Sequence, residues 1–128
     1  MERNESLEMY LETIYLLEMN HGHAHSVDIA KKLKISKPSV SKAMNQLKKK
    51  NLICKEAYGT ITLSVKGKKM AETIYRNHRI ISLYLQRSLG ISGQIADENA
   101  CKMEHILTDE VVLAIEDYLE TRQITFND

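Results

Sequence analysis

Cys101, Glu104 and His105 are the residues whose types and spacing are best suited to chemistry. If residues 93–107 form a helix, positions i, i+3 and i+4 place a thiol, a carboxylate and an imidazole on one face, within one turn. That donor set suits a borderline-soft divalent metal. Taken alone, the triplet reads more readily as a small packed thiol beside two solvated polar groups, because helices carry such triplets by accident. His21, His23 and His25 alternate around Gly22, with nothing else converging on them, and are expected to be loop. Cys54 falls in a strand-like segment and is expected to pack as a core thiol. The sequence contains no nucleophile–base pair or phosphate loop, so an enzyme is not expected.

The elements that would carry these residues are mostly helical. Leu7, Leu11, Ile14 and Leu17 recur at helical spacing and predict a helix over residues 5–19. Ser26 is expected to cap a short helix over 27–33, with Val27, Ile29, Ala30 and Leu33 inward. Ser36 is expected to cap the next, which runs to residue 50 with Pro38 in its first turn. Its inward set is Val40, Ala43, Met44 and Leu47, and its outer face is polar and basic. A short helix, a tight turn and a second helix with a basic outer face form a helix-turn-helix. Residues 52–56 and 60–63, joined by Ala57-Tyr58-Gly59, read as a β-hairpin, which makes the motif winged. A long helix is predicted over 65–89, stopped by Gly90, with Met70, Ile74, Ile80, Ile81, Tyr84 and Leu85 inward. Thr108 is expected to cap a last helix carrying Val111, Val112, Ile115, Tyr118 and Leu119, with a frayed tail from Thr121. The fold class is therefore mostly α with a small β wing.

Charge is distributed unevenly along the 128 residues. Residues 1–70 hold 13 Lys and Arg against 7 acids, whereas residues 71–128 hold 5 against 10. Nine Lys and no acid lie between Ile29 and Lys55. Such a basic stripe suggests a polyanion, most often nucleic acid. No apolar run is long enough for a membrane span, and the first residues lack a signal peptide's pattern, so a cytoplasmic protein without a membrane partner is expected. Two distant cysteines do not make a disulfide framework.

Four separated blocks carry a resemblance: Glu8-Met9-Tyr10-Leu11-Glu12-Thr13-Ile14-Tyr15, Ser36-Lys37-Pro38-Ser39-Val40-Ser41, Arg76-Asn77-His78-Arg79 and Cys101-Lys102-Met103-Glu104-His105. Together they resemble the metal-dependent repressors of the diphtheria toxin repressor family, from about Ser6 to Leu119. The resemblance implies a homodimer, with a winged helix-turn-helix DNA-binding domain over 1–71 and a helical metal-binding and dimerisation domain over 72–128. It implies a principal metal site of Met9, Cys101, Glu104 and His105, as in the family's iron-responsive branch. The manganese-responsive branch has Asp and Glu where Met9 and Cys101 stand. His78 matches a ligand of a second site, and Glu12 a further ligand of the manganese branch. Ser82 and Asp97 stand where the iron branch has a Glu and a His at that second site. The chain also ends without the SH3-like domain usual in the iron branch.

The expected function is a metal-activated homodimeric transcriptional repressor, most plainly Fe²⁺-responsive, binding palindromic operator DNA to control metal homeostasis. Thioether and thiolate ligands favour Fe²⁺ over Mn²⁺, and Co²⁺, Ni²⁺ and Zn²⁺ suit the same donors. Ser36, Lys37, Pro38, Ser39, Ser41 and Lys42 are expected to read bases, with the wing near Tyr58 and Thr60 along the backbone. The alternatives are a Mn²⁺- or Zn²⁺-responsive regulator of the same fold, and a metal-independent winged-helix interaction module.

Overall fold

The computed structural model describes residues 5–56 and 59–125. Its elements are α1 (Glu5–His21), β1 (Ala24–His25), α2 (Ser26–Leu33), α3 (Lys37–Lys49), β2 (Ile53–Lys55), β3 (Thr60–Leu63), α4 (Val65–Leu89), α5 (Gly93–Met103) and α6 (Asp109–Thr121). They divide into two compact units, with the boundary inside α4 between Thr73 and Ile74.

In the first unit, Leu7, Leu11, Ile14 and Leu17 turn one stripe of α1 into the core. They meet Ile29 of α2, then Val40, Ala43, Met44 and Leu47 of α3, and Ile53 and Ile61 of the sheet. Each large side chain fully buried here contributes roughly 1.5–3 kcal/mol relative to exposure. Ser36 caps α3, its hydroxyl accepting the Ser39 N–H at 3.3 Å. Lys34 ends α2 in the left-handed region, φ 56°. The Ile35 N–H then donates back to the Ala30 carbonyl at 3.1 Å, and this closes the turn.

Among the described residues the sheet has three antiparallel strands in the order β1-β3-β2. Central β3 pairs Ile61 with Ala24 on one side and with Lys55 on the other. The Glu18 carboxylate accepts the Leu63 N–H at 2.8 Å and so fastens β3 to α1. The chain enters α4 through Ser64, whose hydroxyl donates to the Asn51 carbonyl at 2.7 Å and accepts the Gly67 N–H at 3.0 Å. Gly67 is required there, because a Cβ would stand 2.0 Å from the Leu52 carbonyl oxygen.

In the second unit, Ile81 and Leu85 of α4 pack on Ala96 and Ala100 of α5. Ile80 meets Val112 and Leu119 of α6, supported by Ile115 and Tyr118. Tyr84 and Tyr118 meet edge to face with ring centroids 5.5 Å apart. Gly90, at φ 68°, ends α4, and the Thr108 hydroxyl caps α6 by accepting the Val111 N–H at 3.4 Å.

Several expectations are corrected. Ala24–His25 is a strand rather than loop, because a neighbour in space, β3, supplies its pairing. His25, not Ser26, precedes α2, and no side chain caps that helix. Val27, Met70 and Val111 are exposed. Cys54 is exposed as well: Ile53 takes the core side of β2, which leaves Cys54 on the other face. α6 ends at Thr121, and beyond it Ile124 packs beside Leu119 with its N–H donating to the Leu119 carbonyl at 3.0 Å. Tyr58 and most of the expected wing turn lie outside the described residues.

Candidate metal centre and nucleic-acid interface

The helix expected to carry Cys101, Glu104 and His105 stops at Met103. Glu104 keeps helical angles (φ −60°, ψ −25°) as the C-cap, and its N–H still bonds the Ala100 carbonyl at 2.9 Å. His105 lies in a tighter turn, where Ile106 N–H reaches the Met103 carbonyl at 3.1 Å. The turn tightens because Leu107 must enter the core and Thr108 must be extended to cap α6. Cys101 is therefore on the last turn of α5, and Glu104 and His105 are just past it.

These residues nevertheless converge. The Glu104 side chain is fully buried, and each carboxylate oxygen faces a different imidazole. Oε2 lies 2.9 Å from His78 Nδ1 on α4, and Oε1 lies 3.2 Å from His105 Nε2. Cys101 Sγ is within 4.8 Å of a Glu104 oxygen, and the residue is exposed at the edge of the group. A buried carboxylate is costly unless it has charged or polar partners, and here two imidazoles supply them. Sulfur, oxygen and nitrogen donors in one patch fit a divalent metal of borderline hardness.

A second set of contacts adjoins His78. Its Nε2 is 3.6 Å from Asp97 Oδ1, which accepts a 2.6 Å hydrogen bond from the Ser82 hydroxyl. Gln86 Nε2 donates to that hydroxyl at 3.0 Å. His78, Ser82 and Gln86 recur every four residues along α4, so one helix face lines this cleft of about 270 Å³. Helical spacing places these three together, but it gives no sign that Asp97 of α5 joins them.

Met9 and Glu12 lie on α1 in the first unit, at i and i+3 on one helix side. Met9 is 37% exposed and Glu12 is half-buried. One residue earlier, Glu8 is buried, a carboxylate that helical periodicity does not single out.

On α3, Lys37, Pro38, Ser39, Ser41 and Lys42 are all exposed, as is Ser36 before the helix. The Ser36 hydroxyl is committed locally: besides accepting from Ser39 N, it donates to the Ser39 hydroxyl at 2.9 Å. Lys48, Lys49 and Lys50 are exposed at the other end of α3, and Lys55 Nζ reaches Asn45 Oδ1 at 3.4 Å. The helix thus turns its apolar side inward and exposes lysines at both ends with polar side chains between them.

The N-terminal DNA-binding domain of iron-dependent repressors matches residues 4–61, and their metal-binding and dimerisation domain matches residues 64–125. The chain belongs to the iron-dependent repressor family. This is a family of transcriptional repressors, not of enzymes, and its DNA-binding domain is a winged helix. An uncharacterised HTH-type transcriptional regulator of Methanocaldococcus jannaschii is 34% identical over 118 residues, covering 91% of this chain and 94% of that one. The diphtheria toxin repressor of Corynebacterium jeikeium is 32% identical over 107 residues, covering 84% of this chain and 45% of its own length. This chain thus spans about half of that repressor. The solved structure of the manganese regulator SloR is 30% identical with a TM-score of 0.78, covering 94% of this chain and 55% of that one. Family membership supports a divalent metal, DNA and a second copy of the chain as partners. An iron-dependent repressor and a manganese regulator both stand among the relatives. No described helix is long and apolar enough to cross a membrane.

Proposed function

We propose that this chain is a metal-activated, homodimeric repressor that binds palindromic operator DNA through α3 and answers first to Fe²⁺. The observation that carries the reading is the buried Glu104 carboxylate, with His78 on one oxygen, His105 on the other and Cys101 at the edge. In this reading residues 1–71 hold DNA and residues 72–128 hold metal and the dimer contact. Cys101, Glu104, His105 and His78 are metal ligands, and the resemblance adds Met9 and Glu12 from α1.

The metal supplies a fixed divalent charge and a preferred coordination, and this chain's residues do the rest. Glu104 brings the negative charge into a dry site. His78 and His105 supply neutral nitrogen donors, and Cys101 a thiolate that disfavours Mn²⁺ relative to Fe²⁺. Metal and DNA binding are then mutually reinforcing, typically by about 1–3 kcal/mol. In a dimer, two α3 helices about 34 Å apart match one turn of DNA. Ser39, Ser41, Lys37, Lys42 and Pro38 face bases, and Ser36 serves by starting the helix. Lys48, Lys49 and Lys50 contact phosphates.

A manganese response is the second reading. The Glu104 group offers only oxygen and nitrogen once the exposed Cys101 is set aside, and those donors suit Mn²⁺.

One experiment tests both. A duplex selected from a random-sequence library by the Mn²⁺- and Fe²⁺-loaded protein is titrated with anaerobic Fe²⁺, with Mn²⁺, with Zn²⁺ and with excess chelator. Tight binding with Fe²⁺ that chelator abolishes supports the first reading. Tight binding with Mn²⁺ alone establishes the second, and equal binding in all four conditions removes metal control altogether.

A further inference from the structure

His21, His23 and His25 recur at every second position where α1 hands over to α2, and neither the Glu104 centre nor the basic surface of α3 uses them. The fold gives two of them a common side. Ala24 is fully buried and pairs with Ile61 of β3, and His25 pairs with Thr60. Successive side chains in extended backbone point to opposite faces, so burying Ala24 turns His23 and His25 outward together. Their rings meet edge to face with centroids 4.8 Å apart. Gly22, at φ 80°, turns the chain out of α1 into this segment. His21 and His23 also line a cleft of about 700 Å³ between α1 and α2, with Leu17, Asp28, Lys31 and Lys32. Among the described residues no hydrogen bond or ion pair engages the three imidazoles.

Two imidazoles held this close, with their nitrogens uncommitted, are a chelating pair for the ions that imidazole suits, Zn²⁺, Ni²⁺ and Cu²⁺. The charges nearby permit a cation. Lys31 and Lys32 are exposed, so their flexible stems carry the ammonium groups into water, and Asp28 places a carboxylate on the same cleft. We propose that His23 and His25 form a separate metal site on the DNA-binding unit, a two-histidine chelate for Zn²⁺ or Ni²⁺ whose other positions are filled by water. The site goes beyond the metal-centre reading and does not depend on it, because both donors lie in one short segment of the first unit. With nitrogen donors alone it ranks Ni²⁺ and Zn²⁺ above Fe²⁺ and Mn²⁺, following the general order of divalent affinity. The pairing of β1 with β3 holds the segment extended, so metal bound there favours the folded unit over the unfolded chain.

The test uses the full chain without an affinity tag, labelled with ¹⁵N at histidine, with Zn²⁺ as the diamagnetic probe and Ni²⁺ for counting. In long-range ¹H–¹⁵N NMR of the wild type, the ring-nitrogen signals of His23 and His25 are expected to shift together as Zn²⁺ is added. The same paired shift is expected in Glu104→Gln, where the other centre is weakened. Equilibrium dialysis is expected to give one Ni²⁺ fewer per chain in His23→Ala and in His25→Ala than in the wild type. Affinity for that ion falls by about tenfold or more, since even a ligand's outer partner is worth as much. Ni²⁺ raises the melting temperature of Glu104→Gln, and adding His23→Ala to it removes the rise. The metal-free melting temperatures of the wild type, His23→Ala and His25→Ala agree, because neither ring is part of the core.

Zn²⁺ that shifts neither ring, or only one of the two, overturns the proposal. So does a Ni²⁺ count that is the same in the wild type and in both single histidine variants. A His23–His25 response that disappears in Glu104→Gln also overturns it, by making the pair a reporter of the other centre. Wild-type protein in which Zn²⁺ moves His23 and His25 but leaves His105 unmoved would instead sink the metal-centre reading and leave this site standing.

Discussion

Glu104 Oε2 lies 2.9 Å from His78 Nδ1, although 26 positions separate the two residues in the chain. The contact joins the turn after α5 to the middle of α4 and makes Glu104 the hub of the group. Replacing the carboxylate by its neutral isostere preserves volume and removes the charge. Glu104→Gln is expected to weaken Zn²⁺ and Mn²⁺ binding by about 100-fold or more, beyond the loss typical of an outer partner. Competition against a fluorescent chelator measures it. Wild-type affinity in this variant would exclude Glu104 as a ligand.

Cys101 is exposed, so its removal separates metal selection from folding. Cys101→Ser is expected to leave urea stability within about 0.5 kcal/mol, as for other surface changes. The same variant loses the near-ultraviolet sulfur-to-metal absorption of the Co²⁺-loaded protein and discriminates less against Mn²⁺. Met9→Asp is expected to move the ranking further toward Mn²⁺. An unchanged ranking of metals would count against both ligands.

If Cys101, His78 and His105 are ligands as proposed, binding turns a thiol into a thiolate and needs neutral imidazoles, so loading the site releases protons. Metal affinity is therefore expected to rise with pH through the neutral range and fall on acidification. Zn²⁺ titrations in buffers of different ionisation enthalpy count the protons directly. A pH-independent affinity would leave the thiol and the imidazoles out of the site.

On DNA, the lysines at the two ends of α3 should behave differently. Lys48→Ala and Lys49→Ala are expected to weaken binding to all duplexes alike, each reducing the salt dependence by about one phosphate contact. Lys42→Ala should instead relax discrimination at one base pair, a difference of about 1–3 kcal/mol between duplexes. Ser36→Ala should cost about 1 kcal/mol of stability through the lost cap. Measuring Kd on a panel of single-base variants at several salt concentrations separates these effects.

Gly67→Ala tests the approach of α4 to the Leu52 carbonyl. Overpacking against backbone cannot be relieved by a side-chain rotation, and the loss is expected at roughly 3 kcal/mol or more in urea denaturation. A variant as stable as the wild type would show that the α4 entry relaxes freely.

Helical elements with strong local signals were legible from sequence. The stripes of α1 and α3, the Ser36 and Thr108 caps and the Gly90 stop each lie within a few residues of the feature that they define. Features defined by distant neighbours were not legible. β1 is two residues long and exists because Ile61 and Thr60 pair with it. The early end of α5 reflects the demands of Leu107 and Thr108 beyond it, which no periodicity within α5 records. At the candidate site, the spacing of Cys101, Glu104 and His105 was enough to expect these three side chains near one another. His78 and Asp97 come from separate helices, and only packing shows that one imidazole stands between two carboxylates.

The bond from the Glu18 carboxylate to the Leu63 N–H gives α1 a mechanical role. Met9 and Glu12 sit about two and a half and one and a half turns before Glu18 on that same helix, whose inward stripe is embedded among the buried residues of α3. Helix α1, helix α3 and central strand β3 thus share one packed core. A restraint placed on α1 would be felt directly at α3 and at β3, with no intervening element between them. Removing this bond, by Glu18→Ala, would loosen the end of β3 from α1 while the packing of Ile61 and of α3 on the α1 stripe stays in place.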